Sequence, residues 1–409
     1  MLADYLRAGD HVVVGQVTGE PEGLVRELIE LAPRLGHIDV FCGFSLNPAW
    51  GADLDAALRV STYCGLGTVA RAVARGRARV IPCQLSQLSA WFACGKLRAD
   101  VVLLQVSPAD AAGLHSLGFT ADYVWDAVQV ARVVLVQVNP NVPHTRSSMR
   151  LHTSRVVVAR EEDAPLAELP AAVPGELQLR IGRHVAQLVP DGATIQLGIG
   201  SLAAAVAQAL IHHRGLRVRS GMVGDWLPGL VACGAVDTGQ AGTCMASLAV
   251  GSRALYESIA RDGYLEFAQP AALVGADERT APAPFMAINS AIEVDVRGQA
   301  NAEFIGERYA GAVGGQPDYF RAARRSAGGL TFVALPATTG RDGKSRVVER
   351  IECGHVTSAQ SDVDFIVTEH GAADIRATSL GERRALIAAL ADPRFRADLG
   401  GVGQQETTT

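Results

Sequence analysis

Short, continuously apolar runs recur along the chain, and each is followed by a turn and then by apolar residues at helical spacing. In residues 10–15 a valine triplet ends at a glycine, and Pro21 then opens a helical face. The apolar residues of that face are Leu24, Val25, Leu28, Ile29 and Ala32. The same arrangement returns at residues 191–198, followed by apolar residues four apart. These two strand–glycine–helix units predict two α/β domains of related build.

Five further apolar runs predict buried parallel strands, because they do not alternate between polar and apolar residues as half-exposed strands do. The runs are residues 37–42, 101–106, 133–138, 330–335 and 363–367. Ligands of open parallel sheets bind beyond the carboxyl ends of the strands. We therefore expect the functional site where these runs end.

A segment rich in proline and charge divides the two units. Residues 160–175 contain three prolines and a charge run, and a helix is predicted over 176–189. The sequence thus predicts an N-terminal domain at 1–175, a C-terminal domain at 176–399 and a flexible, polar tail at 400–409. The fold class is α/β, with two related open parallel-sheet domains and a cleft between them.

Composition narrows the function classes. The 409 residues are 48% hydrophobic and 19% charged, which provides a large core and excludes whole-chain disorder. The net charge of −5 gives no general attraction to nucleic acid or anionic membranes. The first residues are too acidic for a signal peptide. No apolar run is long enough to span a membrane. The seven cysteines form no C-x-x-C pair, which argues against a zinc ribbon. We expect a cytoplasmic protein without a metal, a nucleic-acid partner or a membrane partner.

Two glycine clusters and one carboxylate pair are candidates for chemistry. Residues 196–201 place a G-x-G turn between a strand and a helix, where backbone amides either approach an anion or form only a tight turn. Residues 311–316 either form an amide nest for a developing oxyanion or a turn before a helix predicted over 318–325. Glu293 and Asp295 are two residues apart on a predicted strand. They are either an acid–base pair or solvated or salt-bridged carboxylates.

Four stretches carry a family resemblance. They read DGATIQLGIGS (191–201), INSAIEVDVRGQANAE (288–303), VGGQPDYFRAA (313–323) and DVDFIVTEHGAADIR (362–376). On these stretches the chain resembles the acetyl-CoA hydrolase/transferase family, which includes 4-hydroxybutyrate and butyryl-CoA:acetate CoA-transferases. The resemblance implies CoA-transferase-type domains, an acyl-CoA substrate in the cleft between them, and an oligomer. It also implies a cycle in which a glutamate carboxylate attacks the acyl-CoA and becomes a glutamyl–CoA thioester.

The resemblance also implies site residues. The residues that match the CoA-contacting turn are Gly198, Ile199, Gly200, Ser201 and Leu202, and Asn301 and Lys344 match positions near CoA. The loop that matches the oxyanion-binding amides contains Val313, Gly314, Gly315 and Gln316.

The chain departs from the family at the nucleophile. The family motif reads His-Thr-Glu-Met, and an Asp follows after two intervening residues. The matching stretch here is 218–225. Met222 and Asp225 keep the register, but Gly221 stands where the glutamate is expected, and residues 218–233 contain no glutamate. Glycine has no side chain that could form an anhydride or a thioester. The glutamyl–CoA cycle is therefore predicted to fail in this chain alone.

Several hypotheses follow from this loss. A water could fill the vacated space and hydrolyse the thioester, with Asp225, Ser220 or Glu293 as the catalytic group, or the acyl group could pass to an amine or alcohol. Asp225 has an alternative role as the cap of the helix that follows it. The chain could instead be a non-catalytic subunit that forms a hetero-oligomer with a glutamate-bearing paralogue. The first hypothesis expects a homo-oligomer. A conventional carboxylate CoA-transferase using Glu293 is the third hypothesis.

Overall fold

The computed structural model of the chain describes residues 2–275, 284–340 and 343–400. The predicted tail at 400–409 lies outside the described residues except for Gly400. No described helix is long and apolar enough to cross a membrane.

The first half of the chain alternates strands and helices around a seven-stranded parallel sheet. Its elements are β1 (His11–Val14), α1 (Glu22–Leu35), β2 (Ile38–Cys42), β3 (Leu58–Thr62), α2 (Val69–Ala74), β4 (Ala78–Val80), α3 (Leu85–Ala93), β5 (Val101–Val106), β6 (Leu114–Ser116), α4 (Val124–Val130), β7 (Val133–Val138), β8 (Arg146–Ser147), β9 (Arg150–His152) and β10 (Val157–Glu161). The strand order is β10-β7-β5-β1-β2-β3-β4.

The first strand–helix unit shows why the apolar pattern folds in this way. Strand β1 is buried at its three valines, as a strand covered on both faces must be. Helix α1 begins directly after Pro21 and buries Leu24, Val25, Leu28 and Ala32, so the predicted face packs against the sheet. The helix ends at Gly36, whose φ of +93° lies in the region that favours glycine.

The second half forms a nine-stranded sheet with helices around it. Its elements are α5 (Glu176–Ala186), β11 (Thr194–Leu197), α6 (Ser201–Ala209), β12 (Arg217–Val223), α7 (Trp226–Ala232), β13 (Cys244–Ala249), α8 (Arg253–Asp262), β14 (Glu266–Phe267), α9 (Pro270–Val274), β15 (Phe285–Ser290), β16 (Glu293–Asp295), β17 (Ala300–Asn301), β18 (Phe304–Ile305), β19 (Arg308–Tyr309), α10 (Gln316–Arg325), β20 (Leu330–Ala334), β21 (Val347–Val348), β22 (Phe365–Thr368), β23 (Gly371–Asp374), α11 (Leu380–Ala389) and α12 (Arg396–Gly400).

The order of this sheet is β23-β22-β20-β15-β11-β12-β13-β14-β8, and only the β22–β23 pair is antiparallel. Strand β8 comes from the first half, so the halves share a sheet edge. Smaller sheets join β17-β16-β21, β18-β19 and β6-β9. The predicted α/β fold with two open parallel sheets is confirmed.

Several predicted boundaries shift for local reasons. Strand β10 runs to Glu161, so the predicted linker begins inside a strand. Helix α5 ends at Ala186 rather than at residue 189, because Pro190 disfavours a helical residue before it. Helix α10 begins at Gln316 rather than at residue 318, since a proline in the first helical turn loses no hydrogen bond. The stretch 287–301, whose alternation predicts a strand that ends in a turn at Gly298, is divided among β15, β16 and β17.

Backbone and side-chain hydrogen bonds fix the two halves against each other beside the cleft. The pairs, donor first, are Gly65 N to Gly311 O at 2.7 Å, Leu85 N to Gly314 O at 3.1 Å, Ala121 N to Ser247 O at 2.7 Å, Ala249 N to Phe119 O at 3.0 Å and Ser86 Oγ to Asp318 Oδ1 at 2.6 Å. These hydrogen bonds join the walls of the cleft directly.

Candidate active site

A cavity of about 160 Å³, here called the interdomain cavity, lies between the two halves at the carboxyl ends of the second sheet. The first half contributes Gln16, Tyr63, Leu66, Leu85, Asp122 and Tyr123. The second half contributes the ends of β11, β12, β13 and β15 and the loop before α10, including Gln196, Gly198, Ser220, Gly221, Asn289 and Tyr319. The site therefore lies where the parallel-strand pattern predicts it.

Gly221 lies on β12 in the wall of the interdomain cavity and is half-buried. A Cβ atom built on Gly221 would lie 3.3 Å from Tyr319 Oη and 3.8 Å from Leu85 Cδ1. The position predicted to match the family nucleophile thus lies in the cavity wall, with the Tyr319 hydroxyl close to the first atom of any side chain placed there.

Asp122 is the one carboxylate among the described residues that line the interdomain cavity, and none of those residues is Lys, Arg or His. Its Oδ2 accepts a 2.6 Å hydrogen bond from Gln16 Nε2, and its Oδ1 accepts one of 2.8 Å from Val124 N. Tyr63 Oη donates to Gln16 Oε1 at 2.9 Å. Burial raises the pKa of Asp122 to about 6. Each carboxylate oxygen has a further lone pair, so Asp122 can still accept a proton from a ligand or water.

Neither Asp122 nor Tyr319 was identified from the sequence. Asp122 lies two residues before the first residue of α4 and accepts from Val124 N, which is the pattern of a residue that starts a helix. Tyr319 lies in the first turn of α10 and is 3% exposed, as an aromatic core residue is. The chemical role of both residues depends on what faces them from the other half.

Asp225, the favoured candidate base, lines a different cavity. This second cavity, here called the linker cavity, has about 410 Å³ and lies between α6, α7 and residues 169–174. The Asp225 carboxylate accepts hydrogen bonds from Ser252 N at 3.1 Å and from Ser252 Oγ. It makes no hydrogen bond to the backbone of α7. Asp225 thus occupies the N-cap position of α7, as the alternative predicted, but its carboxylate binds Ser252 at the start of α8 instead of capping α7.

Ser220 lines the interdomain cavity, but its hydroxyl is engaged. Its Oγ is fully buried and donates to Leu197 O at 2.6 Å, with Met222 O at 2.9 Å as a second acceptor. A serine nucleophile needs a base to accept its single proton. Here that proton is directed at backbone carbonyls.

Glu293 and Asp295 lie on β16, away from the interdomain cavity. Glu293 Oε1 accepts from Asn301 Nδ2 at 3.0 Å and lines a third cavity together with Arg297. Asp295 is fully buried, and its Oδ1 accepts from Arg297 N at 3.0 Å and Gln299 N at 2.9 Å, which closes the turn after β16. The structure does not bring either carboxylate to the wall that contains Gly221.

The predicted CoA-contacting turn lies between the interdomain cavity and the linker cavity. Gly198 lines the interdomain cavity, whereas Ile199 and Gly200 line the linker cavity. Ser201 and Leu202 begin α6. Gly200 has a φ of +98°, which L side chains rarely adopt, and a Cβ built there would meet nothing within 4 Å. Glycine is therefore required here by backbone conformation and not by crowding.

The remaining predicted CoA and oxyanion residues have different surroundings. Asn301 is fully buried, and its Nδ2 also donates to Phe304 O at 2.8 Å. Lys344 is exposed. In the loop before α10, Gly314 and Gly315 line the interdomain cavity, and the half-buried Val313 precedes them. The bond from Leu85 N to Gly314 O fixes this loop against α3.

The described ranges contain no group of three or more His, Cys, Asp or Glu side chains that could hold a metal ion.

Comparisons with known proteins match the chain from both ends. The acetyl-CoA hydrolase/transferase N-terminal domain matches residues 2–165, and the acetyl-CoA hydrolase/transferase C-terminal domain matches residues 251–401. The 4-hydroxybutyrate coenzyme A transferase of Clostridium kluyveri is 33% identical over 401 residues, which cover 95% of this chain and 92% of that protein.

Solved structures of similar proteins have the same fold as this chain. RipA from Yersinia pestis superposes with a TM-score of 0.88 at 27% identity and covers 96% of this chain and 93% of its own. A 4-hydroxybutyrate CoA-transferase from Porphyromonas gingivalis has a TM-score of 0.79 at 28% identity and covers 97% and 94%. The resemblance inferred from the four sequence stretches is confirmed.

Proposed function

The chain belongs to the acetyl-CoA hydrolase/transferase family, and on that premise we propose that it processes a CoA thioester without a glutamyl–CoA intermediate, most simply by hydrolysis. One observation carries the proposal. Gly221 leaves the wall of the interdomain cavity without a nucleophilic side chain, while Asp122 faces the same cavity as a buried carboxylate. Acyl transfer to an amine or alcohol would use the same chemistry with another acceptor.

In the proposed reaction the thioester carbonyl lies beside Gly221, and Asp122 takes a proton from the attacking water. The water oxygen bonds to the carbonyl carbon, the C–S bond breaks, and the CoA thiolate leaves and is protonated. Amides of the loop before α10 would stabilise the oxyanion, as the family resemblance implies. A base with a pKa near 6 is largely ionised at neutral pH and still basic enough to accept the proton.

The CoA moiety is proposed to bind along the turn at residues 198–202. We expect Gly200→Val to weaken CoA binding by about tenfold, because a side chain must force the backbone out of its positive φ at a cost of about 1–2 kcal/mol. Isothermal titration with CoA measures this.

Gly192→Val is the matched control for this variant. Gly192 also has a positive φ, of +74°, and open space around a built Cβ, but it lies at the opposite end of β11. Similar CoA affinities in the two variants would contradict the assignment of the turn.

The acyl group is proposed to be small and uncharged. The interdomain cavity has about 160 Å³ and no cationic side chain among its described lining residues, whereas Asp122 is anionic. A carboxylate on the acyl chain would lose hydration there without gaining a counter-ion. We expect kcat/KM for succinyl-CoA to be at least about 100-fold below that for butyryl-CoA, which has the same chain length. Equal values for the two esters would contradict this.

The hydrolysis proposal is tested by following thiol release from butyryl-CoA with and without acetate, together with the intact mass of the protein. Acetate-independent release without a covalent adduct supports hydrolysis. Acetate-dependent exchange with a CoA adduct would support a conventional transferase, and peptide mapping would show whether Glu293 carries the adduct.

No thiol release and no exchange in these assays would support the subunit hypothesis, in which the chain works with a glutamate-bearing partner. Mixing the chain with a glutamate-bearing family member and measuring the mass of the assembly by light scattering tests that candidate. A homo-oligomer with activity of its own would contradict it.

A further inference from the structure

Tyr319 presents a buried hydroxyl to the interdomain cavity. The side chain lines the cavity and the residue is only 3% exposed, yet among the described residues its Oη has no hydrogen-bond partner. A buried donor without a partner costs about 1–3 kcal/mol, so such groups usually have a role. Burial also raises the pKa of Tyr319, which keeps the hydroxyl protonated and able to donate.

Two glycines allow the ring to lie where it does. A Cβ built on Gly315 would lie 2.9 Å from the Tyr319 Cε2 atom, closer than real Cβ contacts come. A Cβ built on Gly221, on the facing strand, would lie 3.5 Å from the same ring atom and 3.3 Å from Oη. The two glycines thus leave room for the ring, and its hydroxyl lies 3.3 Å from the point where a side chain of residue 221 would begin.

We propose that the Tyr319 hydroxyl donates a hydrogen bond to the carbonyl oxygen of the bound thioester beside Gly221. The inference rests on the proposed function, because it needs a thioester in the interdomain cavity. It adds a catalytic group that neither the sequence motifs nor the family resemblance assigns. Since negative charge develops on that oxygen during attack, the bond strengthens towards the transition state.

The proposal predicts that the Tyr319 hydroxyl strengthens the binding only of ligands that have an acyl carbonyl. Binding is compared for free CoA, which has no acyl carbonyl, and for a ketone analogue of butyryl-CoA in which a methylene group replaces the sulfur. We expect Tyr319→Phe to weaken the ketone analogue by about tenfold and to leave CoA affinity within about twofold, because only the former accepts the hydrogen bond. Where hydrolysis is measurable, kcat/KM of Tyr319→Phe falls by at least the same factor, because the hydrogen bond strengthens towards the transition state.

Tyr264→Phe is the control for removing a buried hydroxyl. Tyr264 is 6% exposed, its Oη lies 3.2 Å from Ser258 Oγ, and it lines none of the three cavities described above. This variant is expected to keep the wild-type affinities for both ligands. Thermal unfolding of Tyr319→Phe is expected at or above the wild-type midpoint, since the substitution removes an unpaired donor and leaves the ring in place.

The binding contrast decides the inference whether or not the protein turns over. Equal losses for both ligands would indicate a packing role for Tyr319 and overturn the proposal, as would wild-type affinity for the ketone analogue. Failure of the wild-type protein to bind either ligand would overturn both this inference and the proposed function. If the wild type hydrolyses the thioester but Tyr319→Phe does not selectively weaken the ketone analogue, the proposed function stands and this inference is refuted.

Discussion

Gly221→Glu combined with Tyr319→Phe is expected to produce a protein that forms a covalent CoA adduct, whereas the wild type forms none. The glutamate would lie on β12 in the wall of the interdomain cavity, where a carboxylate held beside the thioester attacks as an intramolecular nucleophile. Acetate-dependent CoA exchange should rise by at least about 100-fold, for the same reason. Intact mass spectrometry and an exchange assay measure the two effects.

The second substitution is needed because Tyr319 occupies the space. With its Oη 3.3 Å from the first side-chain atom at position 221, a longer side chain must displace the hydroxyl or be displaced by it. We therefore expect Gly221→Glu alone to give less adduct than the double variant.

Gly221→Gln with Tyr319→Phe is the matched control, because glutamine has nearly the same size but no nucleophilic carboxylate. An adduct in this control, or in the wild type, would contradict the assignment of Gly221 as the nucleophile position. Equal adduct in the single and double glutamate variants would contradict the steric argument.

Asp122→Asn is expected to lower kcat/KM for butyryl-CoA hydrolysis by about 10²- to 10⁴-fold, the range that general-base catalysis supplies. The variant has nearly the same size but cannot take a proton from water, and its amide nitrogen replaces one of the two oxygens that accept from Gln16 Nε2 and Val124 N. Binding of CoA should stay within about twofold, since the proposed CoA turn lies on another element. Thiol-release kinetics and titration with CoA measure both quantities.

The pH profile gives a second readout of the same base. Because burial raises the pKa of Asp122 to about 6, the proton-accepting form is lost as the pH falls through 6. Wild-type kcat/KM at pH 5 should therefore be about one tenth of its plateau value. The residual rate of Asp122→Asn should not show this step.

Asp126→Asn is the control for both experiments. Asp126 lies on α4, close to Asp122 in the chain, and its Oδ2 accepts from Gln269 Nε2 at 3.0 Å outside the interdomain cavity. It should keep wild-type rates and the wild-type pH profile. A loss in Asp126→Asn equal to that in Asp122→Asn would point to α4 packing rather than to proton transfer.

Local pattern predicted the secondary structure well where one physical rule dominated. Residues 101–106 and 133–138 form β5 and β7 with the predicted bounds, because a short and almost entirely apolar run suits a strand that is covered on both faces. Boundaries shifted where a proline decided them, as at the end of α5 and the start of α10. The alternation over residues 287–301 did not reveal that the chain leaves the main sheet after Ser290.

The candidate site shows the same difference between features that a local motif predicts and features that depend on tertiary packing. The sequence by itself determined the family and predicted the G-x-G turn, the loop before α10 and a glycine at the nucleophile position, since each of these predictions rests on a contiguous motif. Only the tertiary structure placed Asp122 and Tyr319 in one cavity with Gly221, and it separated Asp225 and Glu293 from that cavity. The reason is physical: which side chains meet across a cleft depends on the packing of two sheets, and no local periodicity encodes that contact.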